Sequence, residues 1–248
     1  MSIIVTQISK YGIIFGSDSN ITSTELLEGE RKKIFNIPKL NSAICIAGAY
    51  SVAGELMDSW LPKFIEGEAE NYNCLGDFVR LLAGAFEVNM TPGEKQELSI
   101  SHISGYMDGH PEMWCLSNTI LLESGVYSTG SANFHYSEDF WSRDWPNNHL
   151  NELFESDGLN YQIYVNSLSQ GRVAFNMVRQ FIDTYFVSIF SLPQFNFRYP
   201  RKIEEQELLV RTYIDIINTT YMLSDYEPKV IGGATQTHSI RHPDSHIY

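Results

Sequence analysis

The sequence predicts an α+β fold in which two sheets pack together under helices on each side. Three observations carry this. Short β-rich runs open the chain, return in its middle and close it. Helical periodicity fills the intervals between them. A chain of 248 residues, 43% of them hydrophobic, can bury one layered core as a single domain spanning 1–248.

Residues 2–9 (SIIVTQIS) and 12–17 (GIIFGS), separated by Lys10 and Tyr11, are rich in β-branched side chains and read as a hairpin. Asp18 then sits just past the second strand. After a polar stretch through Glu30, Lys33 opens KIFNI, and the apolar run 42–47 (SAICIA) is ended by Gly48, so a second strand pair is expected. Residues 50–61 carry Val52, Leu56, Met57 and Trp60, and residues 75–88 carry Phe78, Val79, Leu82 and Phe86, both close to a helical period. The strand pattern resumes in LSISHISGYM from Leu98, turns at Asp108-Gly109 and continues in EMWCLS. It turns again near 123–125 and runs into VYSTGS. The aromatic, asparagine-rich segment of about 133–200 is expected to contain a long helix over 172–191, bounded by Gly171 and Pro193. A helix over 202–223 places Leu208, Leu209, Tyr213, Ile216 and Ile217 together, and 229–240 reads as a closing strand that contains Gly232 and Gly233.

Composition excludes several classes of function. Thirty acidic against seventeen basic residues give a net charge of -13, which repels nucleic-acid backbones and anionic lipid surfaces. Cys45, Cys74 and Cys115 are odd in number and widely spaced, which fits a reducing, cytoplasmic setting better than a disulfide framework. No apolar run approaches the roughly eighteen residues of a membrane span, and no signal peptide stands out, so a soluble protein is expected. His238, His242 and His246 recur every four residues, but Pro243 argues against the helix that would align them on a metal; no metal site is assigned. Phe134, Tyr136, Phe140, Trp141 and Trp145 read as core or interface packing. No glycine-rich phosphate loop, dinucleotide fingerprint or nucleophile elbow is present.

The chemistry concentrates at the amino terminus. With Met1 removed, Ser2 offers a hydroxyl nucleophile and its own α-amine as base, an amine whose ordinary pKa of about 7.7–8.0 leaves it partly neutral near pH 7. A lysine such as Lys33 beside that amine would lower its proton affinity, and a carboxylate such as Asp18 would hold the lysine charged and in place. Gly48, ending a strand before a helix, could aim its N–H at a developing oxyanion. Each residue alone has an ordinary structural role as well: chain end, turn, solvated charge, helix entry.

Together these segments resemble the proteasome β-type subunits and their bacterial two-component relatives, within the amino-terminal nucleophile (Ntn) hydrolases. The resemblance lies in SIIVTQISKYGIIFGSDS, RKKIFNI, SAICIAGAYSVAGEL, SISHISGYMDGHPEMWCLS, YSTGS and VIGGATQTHSI, and extends over about residues 2–60, 97–131 and 204–240, roughly half the chain. It implies a four-layer αββα sandwich with an enlarged helical insertion at about 133–200. It places Ser2 on the family's catalytic threonine, Asp18 on its buried aspartate, Lys33 on its active-site lysine, Gly48 on the oxyanion glycine and Ser131 on the serine that helps hold the free amine. For the second orienting aspartate Asp225 is favoured over Asp183, and Ile46 and Tyr50 are expected to shape the first substrate pocket.

The implied activity is cleavage of peptide bonds, in peptides or unfolded polypeptides, through an acyl-enzyme on Ser2, with no cofactor. The implied assembly is a homo-oligomeric ring or stack open to an ATPase partner. The departures are a serine in place of threonine and no propeptide, so that exposure of the amine depends on loss of Met1; a retained Met1 would leave an amide there. Two alternatives remain open: a catalytically silent assembly subunit or binding module on the same sandwich, and an amidase or acylase acting on small amides.

Overall fold

Alternation along the opening hairpin decides what each sheet face meets. Successive side chains of a strand point to opposite faces, and in β1 (Ile3–Ser9) and β2 (Gly12–Ser17) both faces are buried. Ile4, Ile8, Ile13 and Phe15 join one apolar cluster, while Ile3, Val5 and Ile14 join another. The hairpin therefore lies inside the molecule, with packing on either side. The computed structural model describes residues 2–22, 28–119, 133–141, 161–167, 171–190, 200–225 and 231–243.

The protein is mixed α+β with antiparallel sheets. After β2 come a small pair, β3 (Asn20–Thr22) and β4 (Glu28–Glu30), and then β5 (Ile34–Ile37) and β6 (Ser42–Gly48). A two-residue pair, β7 (Ser51–Val52) and β8 (Glu55–Leu56), precedes helices α1 (Met57–Glu68), α2 (Leu75–Asn89) and the short α3 (Pro92–Gln96). Next are β9 (Ser99–Met107), β10 (His110–Ser117), β11 (His135–Trp141) and β12 (Tyr161–Ser167). Helices α4 (Gly171–Phe190) and α5 (Ile203–Met222) and strand β13 (Gln236–Arg241) follow.

One sheet has the order β12-β1-β2-β13 and the other β11-β10-β9-β6-β5. Between them lies a cluster that includes Ile4, Ile8, Ile13 and Phe15 from the first sheet and Ile34, Ala43, Cys45, Ile100 and Met113 from the second. The outer face of the five-stranded sheet, through Ile44, Ile46 and Ile103, packs on Leu61, Phe78, Leu82 and Phe86 of α1 and α2. The outer face of the four-stranded sheet packs on Phe175 of α4 and on Val210, Tyr213 and Ile214 of α5. At Gly16 of β2 a methyl group would stand 2.6 Å from Ile214 and 2.8 Å from Val210, so the α5 contact needs a residue without a side chain.

Both hairpins and the order of strands and helices agree with the sequence reading, and four details differ. Residues 51–56 form a turn rather than the start of a helix, because the Glu94 carboxylate accepts from Ala53 N–H (3.1 Å) and Gly54 N–H (2.9 Å) and holds both at positive φ. The polar stretch before Lys33 contains β3 and β4, which pair in short register with each other alone. The segment after residue 133, expected to be mainly helical, also supplies an edge strand to each large sheet, β11 on β10 and β12 on β1. Finally, Gly232 and Gly233 lie in a loop ahead of β13, which begins only at Gln236. No helix among the described residues is long and apolar enough to cross a membrane.

Candidate active site

The candidate site lies where the first residues of β1, the end of β2 and the segment before β5 converge. Ser2 directly precedes β1, Asp18 directly follows β2, and the pairing of Ile4 with Ser17 brings those two ends together. Asp18 Oδ1 accepts the Ile3 N–H at 3.0 Å. Ser17 Oγ, donating to the carbonyls of Ile3 (3.0 Å) and Asp18 (2.8 Å), ties the same ends from the other side. The hairpin alone thus brings Ser2 and Asp18, sixteen residues apart in sequence, to the same end of the sheet.

Lys33 reaches in from the second sheet. Its Nζ lies 3.1 Å from Asp18 Oδ1, donates to Ser2 Oγ at 2.7 Å and donates to the Asn20 carbonyl at 2.5 Å. Three acceptors match the three donors of an ammonium. Ser2, Asp18 and Lys33 are 4%, 0% and 2% exposed. Burial lowers the proton affinity of Lys33 below that of an ordinary lysine, and the Asp18 carboxylate opposes this. Burial likewise pushes the Asp18 carboxyl up, against the Lys33 charge and the Ile3 and Gly232 amides, which pull it down. Cys45 lies beside the pair, its thiol pushed up by burial and its Sγ directed at the Gly16 carbonyl.

The backbone of residues 31–33 has no strand partner of its own and is held bond by bond. Arg31 N–H donates to Ser19 O (2.9 Å), Tyr50 Oη donates to Lys32 O (2.6 Å), and Ile46 N–H donates to Lys33 O (2.9 Å). The side chain of Gln236 completes the set: its Oε1 accepts from Lys33 N–H at 2.8 Å and its Nε2 donates to Arg31 O at 2.5 Å. The loop before Gln236 locks onto Asp18, with Gly232 O accepting from Ser19 N–H (3.2 Å) and Asn20 N–H (3.0 Å), and Gly232 N–H facing Asp18 Oδ2 at 3.4 Å.

Gly48 ends β6 at φ 96, a conformation that favours glycine. Two residues before it, Ile46 donates to Lys33 O, and next to it Ala49 donates to Leu98 O beside β9.

Of the residues singled out from the sequence, Lys33 contacts both Ser2 and Asp18, and Tyr50 bonds the segment carrying Lys33. Ile46 bonds Lys33 through its backbone, while its side chain is buried in the cluster facing α1 and α2. Asp225 is exposed just beyond α5 and makes no bond to Ser2, Asp18 or Lys33 among the described residues. Asp183 belongs to α4, and Ser131 and His246 lie outside the described residues. Among the described residues no cluster of His, Cys, Asp and Glu is arranged to hold a metal ion. Sequence reasoning missed Ser17, Asn20 and Gln236. Asn20 acts through its carbonyl, which carries no side-chain signal. Gln236 stands on a strand where a polar residue reads as ordinary alternation.

No protein-family model matches this chain, and no curated protein matches it either.

Proposed function

We propose that the protein is an amino-terminal serine hydrolase of the proteasome-like Ntn type, acting on peptide bonds once Met1 has been removed. The observation that carries the reading is the buried contact of Lys33 Nζ with Ser2 Oγ (2.7 Å) and Asp18 (3.1 Å). The succession of helix pair, five-stranded sheet, four-stranded sheet and helix pair supports reading the architecture as that family's four-layer αββα sandwich. A ring or stacked homo-oligomer, fed with unfolded chains by an ATPase and residing in the cytoplasm, belongs to the same proposal.

In the proposed reaction the freed α-amine of Ser2 takes the Oγ proton as Oγ bonds to the substrate carbonyl carbon. Lys33, positive and adjacent, keeps the amine from being protonated beforehand and favours the forming alkoxide. The Gly48 N–H faces the oxyanion. The C–N bond then breaks, the amine proton passes to the leaving nitrogen, and water cleaves the resulting ester in the reverse sense, returning the proton to Oγ.

Intact mass and turnover test this together. The purified protein is weighed, incubated with an electrophilic peptide inhibitor and weighed again. Fluorogenic peptides and small acyl amides are assayed side by side, with Ser2→Ala as control. Loss of Met1, a single adduct on Ser2 and peptide turnover support the reading; turnover restricted to small amides makes it an acylase. The burial of Ser2 at 4% exposure favours a second reading, a catalytically silent assembly subunit. Retained Met1 with no adduct establishes that one.

A further inference from the structure

We propose that Gln236 is a positioning residue for Lys33: its side-chain amide grips the strand-less segment 31–33 and thereby sets where the lysine ammonium stands relative to Ser2. The role of Lys33 toward Ser2 rests on the hydrolase reading above, whereas the grip itself does not.

Among the described residues five hydrogen bonds hold the backbone of 31–33, and two of them come from this one side chain. They are the N–H of Lys33 and the carbonyl of Arg31, the two groups a neighbouring strand would otherwise pair. Gln236 therefore substitutes for a missing strand at the edge of β5. Its own place is fixed, since it opens β13 and pairs with Ser17 of β2, and the Ser17 hydroxyl binds the Ile3 and Asp18 carbonyls. A single amide thus connects the sheet carrying Ser2 and Asp18 to the segment carrying Lys33. On the far side of Lys33 the carbonyl is held by Ile46 of β6. With both backbone groups of Lys33 bonded, the origin of its side chain is fixed between the two sheets, and Nζ meets Ser2, Asp18 and Asn20 together. Without the amide, the Lys33 N–H and Arg31 carbonyl lose their partners, and only the bonds to Ser19, Tyr50 and Ile46 still hold the segment.

The test uses Gln236→Met, which keeps the length and loses both bonds, and Gln236→Glu, which keeps an acceptor for Lys33 N–H. Two readouts are taken on the full-length protein: kcat and KM on a fluorogenic peptide, and the pH titration of the Lys33 side chain by carbon-13 NMR, assigned with Lys33→Arg. The expected result for Gln236→Met is a kcat reduced roughly 100-fold with KM nearly unchanged. Its Lys33 titration should move up toward that of an ordinary lysine as burial relaxes, with Gln236→Glu retaining more activity than Gln236→Met. If the wild type turns over no peptide, the hydrolase reading fails, and the Lys33 titration still decides the positioning role. A Lys33 titration unchanged in folded Gln236→Met overturns the proposal. Loss of folding in both variants overturns it too, since Gln236 would then be a general structural bridge.

Discussion

Replacing Lys33 by Met removes the ammonium while keeping most of the apolar stem, and it leaves Asp18 fully buried with only the Ile3 and Gly232 N–H groups for company. At a separation of 3.1 Å and an effective dielectric of about 20, the attraction between the two charges is about 5 kcal/mol. Part of that offsets the desolvation of both ions, so losing one partner should cost about 3–5 kcal/mol of folding stability, most of it the stranded carboxylate. Guanidinium unfolding near pH 7 measures the loss. Adding Asp18→Asn removes the stranded charge, so the double variant should be more stable than Lys33→Met alone, with a coupling energy of about 3 kcal/mol. The pH dependence has a definite sign. In Lys33→Met, burial acts on Asp18 with less opposition, so the folded chain keeps a proton that the unfolded chain releases near the ordinary value of 3.8. The deficit is therefore largest above the raised folded pKa and shrinks as pH falls through it toward 3.8. A cost below about 1 kcal/mol, identical on both sides of that window, would refute the reasoning, because it would mean that water already solvates the pair.

Ser2→Ala removes the acceptor of one Lys33 bond; it should abolish adduct formation and hydrolysis while lowering stability by only about 1–2 kcal/mol, as read by thermal unfolding and intact mass. His102, buried between the sheets with Nδ1 3.0 Å from Thr6 Oγ1, has its pKa pulled by burial from 6.5 down to about 3. The unfolded chain binds a proton below 6.5 that the folded chain refuses until about 3, so stability is full above 6.5 and falls with decreasing pH by about 1.4 kcal/mol per unit. His102→Gln should flatten that slope, and equal slopes in denaturant titrations of the two proteins would contradict it. Gly233→Ala places a methyl group 2.4 Å from Ser19 Oγ at φ +74, so it should cost about 1–3 kcal/mol and slow turnover by loosening the Gly232 contact with Asp18, measured by unfolding and peptide assay.

How much of the candidate site was legible in the sequence depends on how each residue is held. Ser2 and Asp18 were legible because a tight hairpin fixes register locally: once 2–9 pairs with 12–17, the start of the first strand lies beside the residues just past the second. Lys33 could be named from its place at the head of KIFNI, and its distance from Ser2 could not, because it arrives from another sheet. Asp225 was named as the nearest aspartate ahead of the Gly-Gly pair; it is exposed just beyond α5, while Gly232 N–H itself faces Asp18.

The chain's periodicities by themselves determined the order of the opening strands, α1 and α2, the β9–β10 hairpin, and α4 and α5, because alternation and helical spacing are short-range consequences of where apolar side chains must go. They determined as well that a serine, an aspartate and a lysine stand at strand ends. Only the tertiary structure decided that Asn20 offers its carbonyl to Lys33, that Gln236 stands in for a missing strand, that Glu94 holds residues 53 and 54 out of a helix, and that His102 is sealed between two sheets. Those contacts join residues far apart in sequence through backbone groups or single polar side chains. Such groups become partners only after the apolar faces have closed and water has left the space between them.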